Sequence, residues 1–217
     1  AASDGTPIQS AMAVVDTNNG AVLAMIGGRD YTVRRGLNRA TQMRRQPGSA
    51  LKPLAVYGPA LELGYTTASV LLDEKTSFGG YTPRNAGDRY YGLVTMRTAI
   101  RNSLNTTAVR LLEEIGLDAS IQYLNKMGIP TRNSDRNLSL ALGSMTYGVT
   151  PVELAAAYVP YANGGIYHQP YCVERIETVD GSNVYERKDS GKQVRGIHVA
   201  AERRAEQVHH PREHAAD

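Results

Sequence analysis

At 217 residues and a formal net charge of +3, the chain is long enough to bury one substantial core, and nothing forces a second domain. Lys and Arg are spread among acidic residues rather than gathered into a stripe that would track phosphates, which argues against a nucleic-acid partner. The single cysteine, Cys172, excludes an intrachain disulfide and a cysteine metal cluster, and its strand-like setting predicts a buried, inert thiol.

Gln9 to Val15 and Ala21 to Ile26 are rich in Val, Ala, Met and Ile, and Asp16-Thr17-Asn18-Asn19-Gly20 between them supplies turn residues, which predicts a β-hairpin. That turn also breaks the most apolar early stretch. No other run approaches the roughly 18 apolar residues of a spanning helix, and no signal peptide is visible at Ala1. The chain as given is expected to be soluble with no membrane contact of its own, any anchor lying upstream. Gly27-Gly28 lets the chain leave the sheet. Gln46-Pro47-Gly48 punctuates the backbone before Ser49, and the periodicity of Leu51, Leu54, Ala55, Pro59 and Leu61 predicts a helix ending at Gly64, with Pro53 in its first turn.

From Thr95 to Gly148 the pattern is mostly helical, with helices predicted at Met96–Ile100, Ala108–Ile115 and Ile121–Met127, the last capped by Asp118 and followed by Gly128. Thr150-Pro151-Val152-Glu153 is a strong start signal: Thr caps, Pro fits the first helical position and Glu stands three residues after the cap. That helix is expected to reach Ala162 and stop at Asn163-Gly164-Gly165. Cys172–Val179 and Val184–Glu186, joined by Asp180-Gly181-Ser182-Asn183, predict a second hairpin. Beyond Lys188 no aromatic residue is left to anchor a core. The segment 188–217 therefore reads as a solvated or disordered tail with room for a short helix at Val199–Val208. His198, His209, His210 and His214 in it lack a matched ligand set, so no metal is expected.

Two short elements carry chemistry. Ser49-Ala50-Leu51-Lys52 places a hydroxyl and an amine three residues apart, on one face of a helix about a turn apart. A seryl hydroxyl is a poor nucleophile until its proton is taken, and a lysine takes it only when burial or nearby positive charge lowers its pKa. Alone, the pattern also fits an unremarked Ser and Lys on a surface helix. The second element is Ser103-Leu104-Asn105, where Ser103 or Asn105 reads equally well as a cap for the helix that follows.

Taken together, in this order and roughly fifty residues apart, the two elements resemble those of the penicillin-binding proteins and serine β-lactamases. Gly27-Gly28-Arg29-Asp30-Tyr31, Arg45-Gln46-Pro47-Gly48-Ser49, Tyr81-Thr82-Pro83-Arg84-Asn85, Gly92-Leu93-Val94-Thr95-Met96-Arg97, Ala141-Leu142-Gly143-Ser144 and Gly148-Val149-Thr150-Pro151 look like the class A, bifunctional branch. The resemblance runs from about Gln9 to Glu186. It implies an α/β fold of the α+β type, an N-terminal hairpin with a large helical subdomain, occupying residues 1–187 as a partial transpeptidase domain. It also implies that Ser49 attacks the carbonyl of the penultimate D-Ala of a peptidoglycan stem peptide, with Lys52 as base, Ser103 as proton relay and Asn105 as substrate-binding donor. β-Lactam antibiotics are then expected to acylate Ser49, no cofactor is implied, and the site of action is the outer face of the bacterial cytoplasmic membrane.

The sequence departs from the family in one respect. A third motif, Lys-Thr-Gly or Lys-Ser-Gly on a later strand, is not found. Lys75-Thr76-Ser77 lacks the glycine, and Lys188-Asp189-Ser190-Gly191 has the wrong spacing and no strand expected around it. The fold is accordingly expected to be incomplete at its C-terminal side. Two other readings stay open: a β-lactamase or D,D-carboxypeptidase that passes the acyl group to water, and a non-catalytic remnant that binds wall peptide or a partner protein.

Overall fold

The computed structural model describes residues 3–5, 7–188 and 191–194. The expected helix at Val199–Val208 and the four C-terminal histidines lie outside them. β1 (Met12–Val15) and β2 (Val22–Ile26) form the expected antiparallel hairpin, Met12 opposite Ile26, with a bulge after Val14. After the short α1 (Arg39–Gln42), capped by the Asn38 side chain, the helix predicted from Leu51 to Gly64 is three segments of different pitch. A 3₁₀ turn (Gly48–Leu51) passes into a π-helical turn (Pro53–Tyr57) and then α2 (Gly58–Glu62).

β3 (Val70–Asp73) and β4 (Gly92–Thr95) form a hairpin that the sequence reading did not foresee. α3 (Met96–Arg101) starts at the Thr95 cap, α4 runs Asn105–Ile115 and α5 Leu117–Lys126. Asp118 does not cap α5 as expected. Gly116 occupies that position, and Asp118 sits in the first turn, paired with Arg136. α6 (Pro151–Tyr158) has the predicted reciprocal cap: Thr150 Oγ1 accepts from Glu153 N at 3.2 Å, and Glu153 Oε2 accepts from Thr150 N at 2.9 Å. Pro160 lacks the N–H that would continue it, so the last turn, Val159–Tyr161, is 3₁₀.

β5 (Ile166–Tyr167), β6 (Arg175–Glu177), β7 (Asn183–Glu186) and β8 (Lys192–Gln193) follow. β6 and β7 make the second expected hairpin, and β5 pairs with β8. Two expectations are corrected here. Cys172 is exposed rather than buried, because every residue of the adjoining β6–β7 hairpin is exposed and no described residue covers it. A strand does adjoin Lys188–Gly191: β8 begins at the next residue, and Val194 packs into the core.

The four strand pairs are all antiparallel and stand apart from one another, so the class is α+β and the core is helical. Leu51, Leu54 and Val56 of the three-part helix meet Val109, Leu111 and Leu112 of α4 and Leu124 of α5, all fully buried. β1 packs on α6, while Met12, Val14 and Ile26 share the opposite face at 50, 41 and 51% exposure. Among the described residues no helix is long and apolar enough to cross a membrane.

Candidate active site

The turn that carries Ser49 is shaped by a missing donor. Pro53 has no N–H to give to Ser49 O four residues back, so that oxygen accepts from Lys52 N instead and the turn tightens to 3₁₀. With three residues per turn, positions 49 and 52 fall one above the other, the relation expected from the sequence. Tyrosines at the end of α6 and in the turn after it brace this stretch: Tyr158 OH donates to Ala50 O at 2.6 Å, and Tyr161 OH adds a second bond at 2.9 Å to Pro53 O, which also accepts from Gly58 N.

The approach to Ser49 is clamped from the other side. Arg45 and Val149 form an antiparallel bridge, and Gly143 and Gly148, both at positive φ, lie against the backbone of Gly48 and Arg45. A Cβ on Gly143 would stand 2.1 Å from Gly48 O, and one on Gly148 would stand 2.2 Å from Arg45 O. The Ala141–Ser144 and Gly148–Pro151 stretches noted in the sequence thus have a physical use: they admit the chain that presents Ser49.

Lys52 is 2% exposed, and its ammonium donates into one pocket of oxygens. Its partners are Asn105 Oδ1 at 2.6 Å, Ser103 O at 2.7 Å, Ser103 Oγ at 3.1 Å and Leu104 O at 3.2 Å. Burial pulls its pKa down to about 8 from the usual 10.5. Ser103 holds a left-handed conformation, φ +51°, costly for a residue with a Cβ, and the bond from Lys52 to its carbonyl helps hold it. Ser49 and Ser103 are exposed and Asn105 is half-buried, so the group opens to solvent on its serine side. The structure therefore brings Lys52, Ser103 and Asn105 into contact. Ser49 lies one turn from Lys52 with its hydroxyl unbonded among the described residues.

Neither Ser103 nor Asn105 caps α4. The cap position is Leu104, whose side chain accepts nothing, and the orphan N–H groups of Asn105 and Thr106 donate to Asn85 Oδ1 at 2.7 and 3.3 Å. Asn85, Arg84 and Asp73, all absent from the sequence-derived site, stand directly behind it; the only sequence signal was the Tyr81–Asn85 stretch. Lys75-Thr76-Ser77 makes no hydrogen bond with Ser49, Lys52, Ser103 or Asn105 among the described residues, and its Thr76 Oγ1 accepts from Arg110 at 2.8 Å. A cleft of about 880 Å³ between β1 and α6 touches Gln46 and Pro47 but none of the four candidate residues.

The family described as the penicillin binding protein transpeptidase domain matches residues 10–210. Penicillin-binding protein 1F of Bacillus subtilis is 45% identical over 181 residues, covering 83% of this chain and 25% of that protein. Among solved structures, penicillin-binding protein 1A from Haemophilus influenzae superposes with a TM-score of 0.73 at 32% identity, over 86% of this chain and 28% of that one. The PonA1 protein from Mycobacterium tuberculosis in complex with penicillin V gives 0.74 at 27% identity, over 84% and 51%. The chain belongs to the penicillin-binding protein transpeptidase domain family. It spans about a quarter of the length of the curated relative it matches.

Proposed function

We propose that this domain is the acyl-transfer unit of a peptidoglycan D,D-transpeptidase. Ser49 Oγ attacks the carbonyl of the penultimate D-Ala, its proton passes to neutral Lys52, and Ser103 hands that proton to the departing D-Ala amine. The amine of a neighbouring stem then attacks the acyl-enzyme carbonyl, the C–O bond to Ser49 breaks, and the amine's proton returns by way of Ser103 and Lys52 to Ser49 Oγ. Asn105 orients the site: Oδ1 holds Lys52, and Nδ2, which gives one hydrogen to Arg84 O at 2.6 Å, keeps a second for a substrate carbonyl. The observation that carries the reading is the buried lysine bonded at once to the hydroxyl of Ser103 and the carboxamide of Asn105, one turn from an unbonded serine. A β-lactam enters as a mimic of the D-Ala-D-Ala end and stays on Ser49. The site works on the outer face of the cytoplasmic membrane.

The N–H of Ser49 has no acceptor within its helical turn and supplies one oxyanion donor. A second donor and a partner for the substrate carboxylate belong to a Lys-Thr-Gly strand, which residues 1–217 do not contain. These residues alone are therefore proposed to acylate slowly, and functional measurements belong to the protein in which the domain and such a strand occur together. Product analysis with a donor ending in D-Ala-D-Ala and an added amine acceptor tests the transfer. The reading predicts an aminolysis product that grows with acceptor concentration. Hydrolysis alone at every acceptor concentration would assign the site to a D,D-carboxypeptidase or β-lactamase.

A further inference from the structure

We infer that Asp73 and Asn85 form a positioning pair that fixes the Ser103-Leu104-Asn105 turn and, through Asn105, the lysine. The inference rests on the acyl-transfer reading. Asp73 ends β3 with no exposed surface, and no cation is paired with it among the described residues; three donors satisfy it instead. Asn85 Nδ2 reaches its Oδ1 at 2.7 Å, Thr106 Oγ1 donates to the same oxygen, and Tyr91 N reaches Oδ2 at 3.0 Å.

Asn85 is 6% exposed and its carboxamide is fully engaged. Nδ2 donates to Asp73 and to Arg89 O at 3.0 Å, which forces Oδ1 toward Asn105 N and Thr106 N, so the amide cannot flip without losing four bonds. The adjacent Arg84 carbonyl takes Asn105 Nδ2, so residues 84 and 85 grip Asn105 by its side chain and its backbone together. Asn105 Oδ1 is thereby left in one orientation, 2.6 Å from Lys52 Nζ.

A purely structural role is the competing account. A carboxylate and an acceptor at the start of an eleven-residue helix satisfy its orphan N–H groups whatever the helix carries. The two accounts differ in what happens at Lys52. Burial is what lowers the lysine pKa, so loosening Asn105 lets water reach Nζ and raises it.

The test uses Asp73→Asn, Asn85→Asp and the double exchange, in the protein carrying the Lys-Thr-Gly strand. Asp73→Asn turns an amide NH₂ toward the Tyr91 N–H or the Asn85 Nδ2, and Asn85→Asp sets two carboxylates together with an oxygen against Arg89 O, whereas the exchange restores one donor facing one acceptor between residues 73 and 85 and leaves only the Arg89 O contact unmade. Acylation by a fluorescent penicillin is followed to saturation across pH, and Lys52 is titrated independently by NMR of ¹⁵N-labelled lysine. The expected result is a roughly 10- to 100-fold fall in the saturating rate of each single variant. Initial binding changes little, the Lys52 midpoint moves upward, and the exchange recovers part of both the rate and the midpoint, the bond to Arg89 O staying lost. Single variants with wild-type rate and wild-type Lys52 midpoint would overturn the inference. So would losses that merely follow the folded fraction with the midpoint unmoved. A wild-type protein that never acylates would sink the acyl-transfer reading instead, and the lysine titration would still decide whether Asp73 and Asn85 govern Lys52.

Discussion

Replacing Lys52 with arginine is expected to cost about 10²- to 10⁴-fold in acylation rate, nearly as much as replacing it with alanine. The proton decides this, not the charge. A lysine held near pKa 8 is neutral in a useful fraction at physiological pH, whereas guanidinium does not give up its proton there. The reactive form is the neutral amine, so the wild-type rate rises with pH, reaches half its limit near 8 and levels off above it. The arginine variant stays low and flat. Folding of both variants is checked by thermal melting, because a larger head group must fit a site that is 2% exposed. A folded arginine variant acylating at near wild-type rate would remove the base role from Lys52.

Gly143→Ala is the second large effect. At φ +79° any side chain costs about 1–3 kcal/mol in backbone strain. Here the new Cβ would also fall 2.1 Å from Gly48 O and 2.5 Å from Gly48 N, backbone atoms that cannot swing aside. The Gly48–Leu51 turn must shift, and a displacement of about 1 Å at a reacting group costs on the order of a hundredfold in rate. Gly164→Ala is the matched control, since Gly164 has nearly the same φ, +78°, with nothing within 4 Å of the added Cβ. By thermal melting Gly164→Ala should lose only the stability that the strained φ costs, Gly143→Ala more because of the clash, and only the Gly143 change should slow acylation strongly in the folded protein. Equal rates in the two would mean that the clamp does not position Ser49.

What could be read in the sequence was what neighbouring residues decide. The β1–β2 hairpin and the Thr150 cap are set within a few positions, and both formed as expected. Ser49 with Lys52 and Ser103 with Asn105 were visible as motifs, and the contact of Lys52 with the second element could be anticipated only from the resemblance. The misses are long-range. β3 and β4 are joined through residues 74–91, so no tight turn marks their pairing. Asn85 caps a helix that starts 20 residues later, and nothing around Asn85 announces this. The irregular turn around Lys52 is braced by Tyr158 and Tyr161, each 108 residues from the carbonyl to which it donates. Cys172 was misjudged for the same reason: burial is decided by what covers a strand, and among the described residues nothing covers the β6–β7 hairpin.

The central claim is that Ser49 is the acylated nucleophile, and mapping the penicillin adduct tests it most directly. Protein carrying this domain with a Lys-Thr-Gly strand is incubated with penicillin, weighed intact, digested, and its modified peptide sequenced by mass spectrometry. The account predicts a gain of one penicillin per chain, the label on Ser49, and no gain in Ser49→Ala. A label on Ser103 or any other residue, or an Ser49→Ala protein that still gains the mass, would contradict it.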